Sequence, residues 1–127
     1  MSNSAPGYTS YPDHRVVAAQ PPRHVRVLVN DTVIADSRAA ILVEESRHDP
    51  VWYFPPNDVV EQSLQPSDRS SYCPFKGHAS YWSIVTPGAT LDDAVWAYLT
   101  PYDEFRALAG YYAFYRDRVR LEVAGEA

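Results

Sequence analysis

The chain contains little cysteine and glycine, and each shortage excludes a class of site. Its single cysteine, Cys73, allows neither an internal disulfide nor a zinc site built from several thiolates. Its five glycines form no GxGxxG or GxxxxGK(S/T) pattern, so the sequence offers no glycine-rich phosphate cradle. We therefore expect no bound metal and no cofactor.

Long apolar runs are also missing. No stretch approaches the ~18 residues of a membrane-spanning helix, and the first residues lack the basic and apolar blocks of a signal peptide. These two observations predict a cytoplasmic protein without a membrane partner.

The charge of the chain is modest and mixed. Lys and Arg number 11 and Asp and Glu number 16, which gives a net charge of −5, and both signs are interspersed along the chain. Proteins that bind nucleic acid concentrate Lys and Arg on one face, so we expect no nucleic-acid partner. A local arginine patch for one anionic ligand stays open.

Aromatic residues, in contrast, are plentiful. The ten tyrosines, four phenylalanines and three tryptophans supply apolar area for one sizeable core, and 127 residues is the length of one domain. Residues 1–22 mix Ser, Pro and Gly without a sustained period, which predicts a mobile N-terminal arm before a single β domain at residues 23–127. Tyr8 and Tyr11 could instead dock this arm onto the body or onto another chain, so a homo-oligomer formed through the arm is an open alternative.

Short runs with the composition of strands follow the arm. They are residues 25–30, 32–37, 39–46, 51–54, 77–85, 94–99, 111–115 and 119–123. We expect the first two runs to form a hairpin around Asp31, and the last two to form a closing hairpin. Eight such strands predict an all-β sandwich or open barrel, since an α/β fold would need crossover helices.

The segments between these runs are less regular. Residues 58–66 suit a short helix or a strand equally, and residues 66–71 and 86–93 are predicted loops. One short helix is predicted at residues 102–110, because acidic residues occupy its first turn and Gly110 can take the left-handed conformation at its end.

The segment SSYCPFKGHASYW, residues 70–82, holds the only cysteine and the only lysine. A neighbouring lysine or histidine lowers the pKa of a thiol, which makes Cys73, Lys76 and His78 candidates for a reactive site. The alternative is a small buried Cys73 beside a turn, with Lys76 reaching water. Dithiol exchange is excluded, because Lys76 stands where a second thiol would be.

Carboxylates near strand ends form a second candidate set, consisting of Asp36, Glu44, Glu45 and Asp58. Neighbouring strands could bring two of them onto one face, which is the arrangement that general acid and base catalysis requires. The alternative is that they cap turns or pair with arginines at the surface.

Six aromatic residues on three predicted strands form a third set: Trp52, Tyr53, Tyr81, Trp82, Trp96 and Tyr98. Such residues most often build a core. They could also wall a pocket that stacks a flat or cationic ligand. Tyr81 and Trp82 point to opposite faces of their strand, so at most one of them should line such a pocket.

Five blocks of this sequence, in this order, resemble the domain of unknown function 427 family of small bacterial and fungal proteins. They are VRVLVNDTVIADSRAAILVEE, VWYFPPNDV, CPFKGHASYW, AVWAYLTP and YYAFYRDRV, spread over residues 25 to 123. The resemblance implies a compact fold similar to the tent-like sheets of methionine sulfoxide reductase B and the cereblon ligand-binding domain. Many of those relatives hold zinc with four cysteines, so this chain resembles a metal-free version.

The family also carries a nucleotidyltransferase label, which the residues support little. That chemistry normally needs closely spaced acids for Mg²⁺ and a phosphate cradle, and Asp92-Asp93 are predicted to diverge on a loop. The family's motif positions in this chain are Asp36, Ser37, Glu44, Tyr53, Asp58, Cys73, Lys76, Gly77, Tyr81, Trp82, Trp96, Tyr98, Phe114 and Tyr115. The resemblance gives these positions without roles.

Three functions remain open at this point. The first is a module that binds a small planar or polar metabolite in an aromatic pocket with a Lys and carboxylate end. The second is an acid–base enzyme, with Glu44 or Asp58 as base and Lys76 as charge stabiliser, and the third is a structural or partner-binding protein. The predicted ligand-binding residues are Asp36, Glu44, Tyr53, Asp58, Cys73, Lys76, Tyr81 and Trp96.

Overall fold

The structure is a computed structural model that describes residues 3–126, with side chains described through residue 124. Ten strands account for most of the regular structure. They are β1 (Val16–Ala19), β2 (Arg23–Val29), β3 (Thr32–Ser37), β4 (Ile41–Glu45), β5 (Val51–Phe54), β6 (Leu64–Cys73), β7 (Gly77–Thr86), β8 (Ala89–Ala97), β9 (Tyr112–Phe114) and β10 (Arg120–Glu126). The predicted all-β class is therefore confirmed.

The strands form two antiparallel sheets. The larger one has seven strands in the order β1-β4-β5-β9-β8-β7-β6, and the smaller one has three in the order β10-β2-β3. The predicted hairpin around Asp31 is confirmed as the β2–β3 pair, in which Val25 lies opposite Ser37.

The larger sheet packs on both faces, because buried side chains alternate along its strands. One face meets the smaller sheet in a core that includes Val25, Ile34, Phe54, Val95 and Phe114. The opposite face carries a second core, made of Ile41, Val43, Tyr53, Phe75, Ala79, Tyr81, Tyr98, Phe105, Leu108 and Ala113. Neighbouring residues such as Tyr53 and Phe54 thus belong to different cores.

The loop predicted at residues 66–71 is wrong, since these residues lie inside β6. This strand is an edge of the larger sheet, and most of its side chains between Leu64 and Cys73 are exposed. An edge strand without a buried face carries no apolar alternation, which is why its sequence reads as a loop. The loop predicted at residues 86–93 is also wrong for most of its length, because β8 begins at Ala89 directly after a tight turn at Gly88.

Residues 58–66, for which a short helix or a strand was predicted, form neither a helix alone nor a strand alone. Short 3₁₀ turns at Pro56–Asp58 and Glu61–Ser63 lead into β6. The helix predicted near residue 102 is also a 3₁₀ element, Asp103–Leu108, interrupted by a non-helical Phe105. Gly110 does take the predicted positive φ, at 77°.

The predicted closing hairpin is wrong. β9 pairs with β5 and β8 inside the larger sheet, whereas β10 crosses to the smaller sheet and pairs with β2. Two strands joined by a short polar turn look like a hairpin in sequence, but here the turn at residues 115–118 sends the chain from one sheet to the other.

The N-terminal segment, residues 3–15, lies against the body. It includes a single helical turn, α1 (Gly7–Ser10), and leads into β1, which pairs with β4. The backbone of Asn3 bonds Asp103, and Gly7 N–H donates to the Pro74 carbonyl. The mobility of the arm and the domain boundary at residue 22 stay predictions. The contacts of Asn3 and Gly7 correspond to the alternative in which the arm docks onto the body. Among the described residues, no helix is both long enough and apolar enough to cross a membrane.

Candidate functional site

The turn between β6 and β7 delivers the CPFK residues to the second core. Lys76 N–H donates to the Cys73 carbonyl, and Gly77 starts β7 with a φ of +120°, a conformation that other residues rarely adopt. Phe75 inserts into the core and Lys76 is only 5% exposed. The expectation that Lys76 reaches water is therefore wrong, because this turn folds back onto the sheet.

A cavity of about 790 Å³ lies beside this turn. The strands β5 and β9 pair only at residues 53–54 and 112–113, and residues on both sides of this short pairing line the cavity. Val51 and Trp52 line it on the β5 side, and Phe114 and Tyr115 line it on the β9 side. Its volume lies within the range of small-molecule sites, roughly 300–1,000 Å³.

Aromatic rings form the walls of the cavity. The Trp96 ring meets the edge of Tyr53, with centroids 6.2 Å apart, and lies 4.6 Å from Tyr115. Trp96 Nε1 donates a hydrogen bond to the Tyr53 hydroxyl at 3.3 Å. Tyr81 and Tyr98 complete the wall.

Glu45 organises the polar end of the cavity. Its Oε1 accepts a 2.5 Å hydrogen bond from Lys76 Nζ, and its Oε2 accepts one of 2.8 Å from His14 Nε2. His48 Nε2 lies 3.8 Å from the same Oε2. The His14 ring in turn stacks on Phe75, with centroids 4.0 Å apart. Three basic groups therefore surround one carboxylate.

These contacts set the protonation of the site. Burial opposes ionisation of Glu45, but the hydrogen bonds from Lys76 and His14 and the charge of His48 outweigh it and hold the pKa of Glu45 below its usual value. Burial raises the pKa of both Tyr53 and Tyr98 well above its usual value, and it raises the pKa of Tyr115 to about 12. Near neutral pH the carboxylate is thus ionised and the phenols keep their protons.

The structure brings together five of the eight residues predicted to bind a ligand. Tyr53, Cys73, Lys76, Tyr81 and Trp96 all line the cavity. Trp82 points to the other face of β7 and packs edge-on against Tyr112, in agreement with the expectation that only one of the pair Tyr81 and Trp82 lines a pocket.

Three of the four candidate carboxylates lie elsewhere, and the fourth, Glu45, lies beside Lys76. Asp36 is exposed and bonds His24, Glu44 is exposed on the outer face of β4, and Asp58 accepts a 2.7 Å hydrogen bond from Ser37. His78 is exposed beside Tyr72 and is not part of the cavity wall. The expected grouping of Glu44 and Asp58 with Lys76 is therefore not the one observed.

Glu45 takes the place beside Lys76 that Glu44 was expected to fill. The sequence indicated this position of Glu45. Every second residue of a strand points to the same face, so Glu45 shares the face on which Ile41 and Val43 are buried. His14 had no comparable signal, since it lies in a segment without periodicity. In the described part of the chain, no three His, Cys, Asp or Glu side chains are arranged to hold a metal ion.

Comparison with known proteins gives a family and no function. A search of curated proteins finds no match. Residues 17–125 match the model of a family described as a domain of unknown function, DUF427. The match covers all ten strands except the ends of the first and last, and it leaves out His14. The chain belongs to the DUF427 family.

Proposed function

We propose that this protein is a binding module that holds a small planar metabolite in the cavity between β5, β9 and the turn before β7. The observation that supports this most is the combination of aromatic walls with one polar end. Pockets for small molecules typically have this composition, with few polar groups that orient the ligand. The ligand ring would stack on Trp96 or Tyr115, and Lys76 would contact its polar edge.

An acid–base enzyme is the alternative that the same residues suggest. Glu45 and His14 lie within hydrogen-bond distance of one another, as a catalytic acid or base and its orienting partner often do. A lowered pKa makes Glu45 a weak base near neutral pH, however. The two hydrogen bonds of Glu45 instead support a role in which it holds Lys76 and His14 in position. We rank binding above catalysis for this reason.

A partner-binding role receives less support. Tyr8 packs against the chain's own Phe75, with centroids 5.0 Å apart, and is half-buried, so only part of this tyrosine remains for contact with a second chain. Tyr11 remains 64% exposed and is the feature through which the N-terminal segment would contact another molecule. A cytoplasmic location fits a metabolite-binding role and is part of the same proposal.

The proposal is tested by thermal shift of the full chain against a library of planar metabolites. A ligand at 100 times its dissociation constant adds about 2.7 kcal/mol to the free energy of unfolding, which gives a clear rise in the melting temperature. We expect at least one aromatic compound to produce such a rise.

Two matched variants locate the binding. Trp96→Phe changes the cavity wall, whereas Trp82→Phe changes a tryptophan of the other core. The shift caused by a ligand should fall in Trp96→Phe and persist in Trp82→Phe, each measured against the variant's own unliganded melting temperature. A shift that is equal in both variants would place binding outside the cavity and contradict the proposal.

A further inference from the structure

The polar end of the cavity, where Lys76 and Glu45 lie, has more hydrogen-bond donors than acceptors for them; we call it the inner end below. Tyr98 is 8% exposed, and its hydroxyl has no hydrogen-bond partner among the described residues. No fully buried side-chain nitrogen or oxygen in the described part of the chain lacks a partner, so this hydroxyl keeps some access to solvent, and Tyr98 lines the cavity. A phenol hydroxyl with its pKa raised by burial stays protonated and can donate.

Two further donors lie at the same end. The Tyr53 hydroxyl accepts from Trp96 Nε1, which leaves its own proton without an acceptor among the described residues. The Lys76 ammonium has three protons, and the structure gives it one hydrogen bond, to Glu45. Tyr53, Tyr98, Lys76 and Glu45 all line this one cavity. Burial is the main cause that raises the pKa of Tyr53 and Tyr98, and the charge of Glu45 adds a smaller contribution to both.

The strongest acceptor at this end, the Glu45 carboxylate, already serves two basic residues. Each oxygen of Glu45 holds one basic residue, Lys76 on Oε1 and His14 on Oε2. The remaining acids of the cavity wall, Asp49 and Asp117, are exposed at its rim and solvated. A ligand that brought only donors would therefore leave the donors of Tyr53, Tyr98 and Lys76 unpaired in a partly dehydrated site, at a cost in affinity.

Charge narrows the class of ligand further. Lys76 is paired with Glu45 at 2.5 Å, so its ammonium offers a ligand hydrogen bonds but no uncompensated charge. A ligand carboxylate would lie near the Glu45 carboxylate. A ligand ammonium would lie near the Lys76 ammonium and would compete with Lys76 and His14 for the same carboxylate. An uncharged oxygen acceptor meets neither repulsion.

We infer that the ligand is an uncharged planar ring compound that presents a carbonyl oxygen to the donors of Tyr53, Tyr98 and Lys76. This inference rests on the binding function proposed above and specifies its ligand class. The ring occupies the space beside Trp96, and the carbonyl oxygen faces the inner end, where it accepts hydrogen bonds that the chain itself does not satisfy.

Three probes that share one ring test the inference: benzamide, benzoate and benzylammonium. Each is titrated into the full ¹⁵N-labelled chain at neutral pH while the indole N–H signals of the three tryptophans are followed. Trp52 and Trp96 line the cavity and Trp82 does not, so the chain carries its own internal control. We expect benzamide to move the Trp96 signal with the lowest dissociation constant, in the millimolar range expected of so small a ligand.

Two tyrosine variants test the donor assignment. Tyr98→Phe should weaken benzamide about three- to tenfold, the effect of one lost hydrogen bond to an uncharged acceptor. Tyr112→Phe removes a hydroxyl that bonds Glu61 away from the cavity and should leave benzamide affinity unchanged.

The outcomes separate the two proposals. If benzoate or benzylammonium binds more tightly than benzamide at the Trp96 signal, the uncharged ligand class is wrong and the binding function stands. If Tyr98→Phe binds benzamide as the wild type does, the donor assignment is overturned. If none of the three probes moves Trp52 or Trp96, both the ligand class and the planar-ligand binding function are overturned.

Discussion

Lys76 Nζ and Glu45 Oε1 form a 2.5 Å hydrogen bond that joins the turn before β7 to the end of β4. The side chains are 6% and 13% exposed, so this ion pair is largely shielded from bulk water. Removal of one partner from such a pair leaves the other charge buried and uncompensated, which costs more than the pair itself contributes. The bond also fixes the position of the only lysine at the cavity.

Lys76→Met should therefore destabilise the protein by about 3 kcal/mol, since it leaves the Glu45 carboxylate without its closest cation. The double variant Lys76→Met/Glu45→Gln should recover part of this loss. The measurement is urea denaturation at neutral pH. Arg106→Met is the matched control, because Arg106 is 77% exposed and an exposed ion pair such as the one with Asp103 contributes little to stability. Equal losses for Lys76→Met and Arg106→Met would contradict the role of burial.

Acid should destabilise the wild type more steeply than a Glu45→Gln variant. The folded protein holds the pKa of Glu45 below its usual value of 4.5, so the unfolded chain takes up the proton more readily. The stabilisation is complete above pH 4.5 and is lost as the pH falls through the lower folded value. Urea denaturation at neutral pH and at about pH 3 gives, for each protein, the slope of the free energy of unfolding against pH. Asp103 and Glu122 also have lowered pKa values, so the slope of the variant should be smaller and not zero. Identical slopes would exclude the contribution of Glu45.

Gly7→Ala should release the N-terminal segment. A Cβ at this position would lie 2.7 Å from Phe75 Cε1 and 2.9 Å from the Pro74 carbonyl oxygen, and the backbone oxygen cannot rotate away. We expect faster hydrogen exchange and faster proteolysis of residues 3–15, and a loss of about 1–3 kcal/mol if Phe75 is displaced. Thr9→Ala, an exposed change on the same helical turn, should leave the exchange of this segment as in the wild type. Unchanged exchange in Gly7→Ala would mean that Phe75 repacks without loss.

Gly77→Ala should lower stability by about 1–3 kcal/mol, because a φ of +120° is strained for any residue with a Cβ. The Cβ itself would meet no close neighbour, since the nearest atom lies 3.6 Å away, so the cost is one of backbone conformation. Gly88→Ala is a control in the β7–β8 turn, where φ is +87°. We expect both variants to lose stability in urea, and only Gly77→Ala to move the Trp96 indole signal, because Gly77 directly follows Lys76. A shift of this signal in both variants would contradict a local effect.

The sequence predicted the β class and the family, because these depend on local composition and on ordered blocks of residues. The alternation of valines in residues 25–37 is enough to specify one hairpin. The partner of β9 could not be read in the same way, since the short run Tyr112–Phe114 fits between β5 and β8 only when all three strands are present. Strand pairing over long distances leaves no trace in a single sequence.

In the candidate site, too, some residues could be predicted from local sequence and others could not. Aromatic residues of the cavity were identified because their blocks stand out in composition, whereas Glu44 was chosen over Glu45 although the alternation of β4 favours Glu45. His14 could not be found, because its position depends on how residues 3–15 cross the Phe75 turn. Side chains supplied by irregular segments need the fold before they can be placed.

The position of β9 also governs when the protein can fold during its synthesis. Until residues 112–114 have left the ribosome, the larger sheet exists only as two separate parts, β1-β4-β5 and β8-β7-β6, with exposed edges that face one another. The smaller sheet likewise waits for β10. Nascent chains therefore carry two unpaired strand edges between the synthesis of β8 and that of β9, and a stop codon between residues 97 and 112 would yield a product that aggregates through those edges.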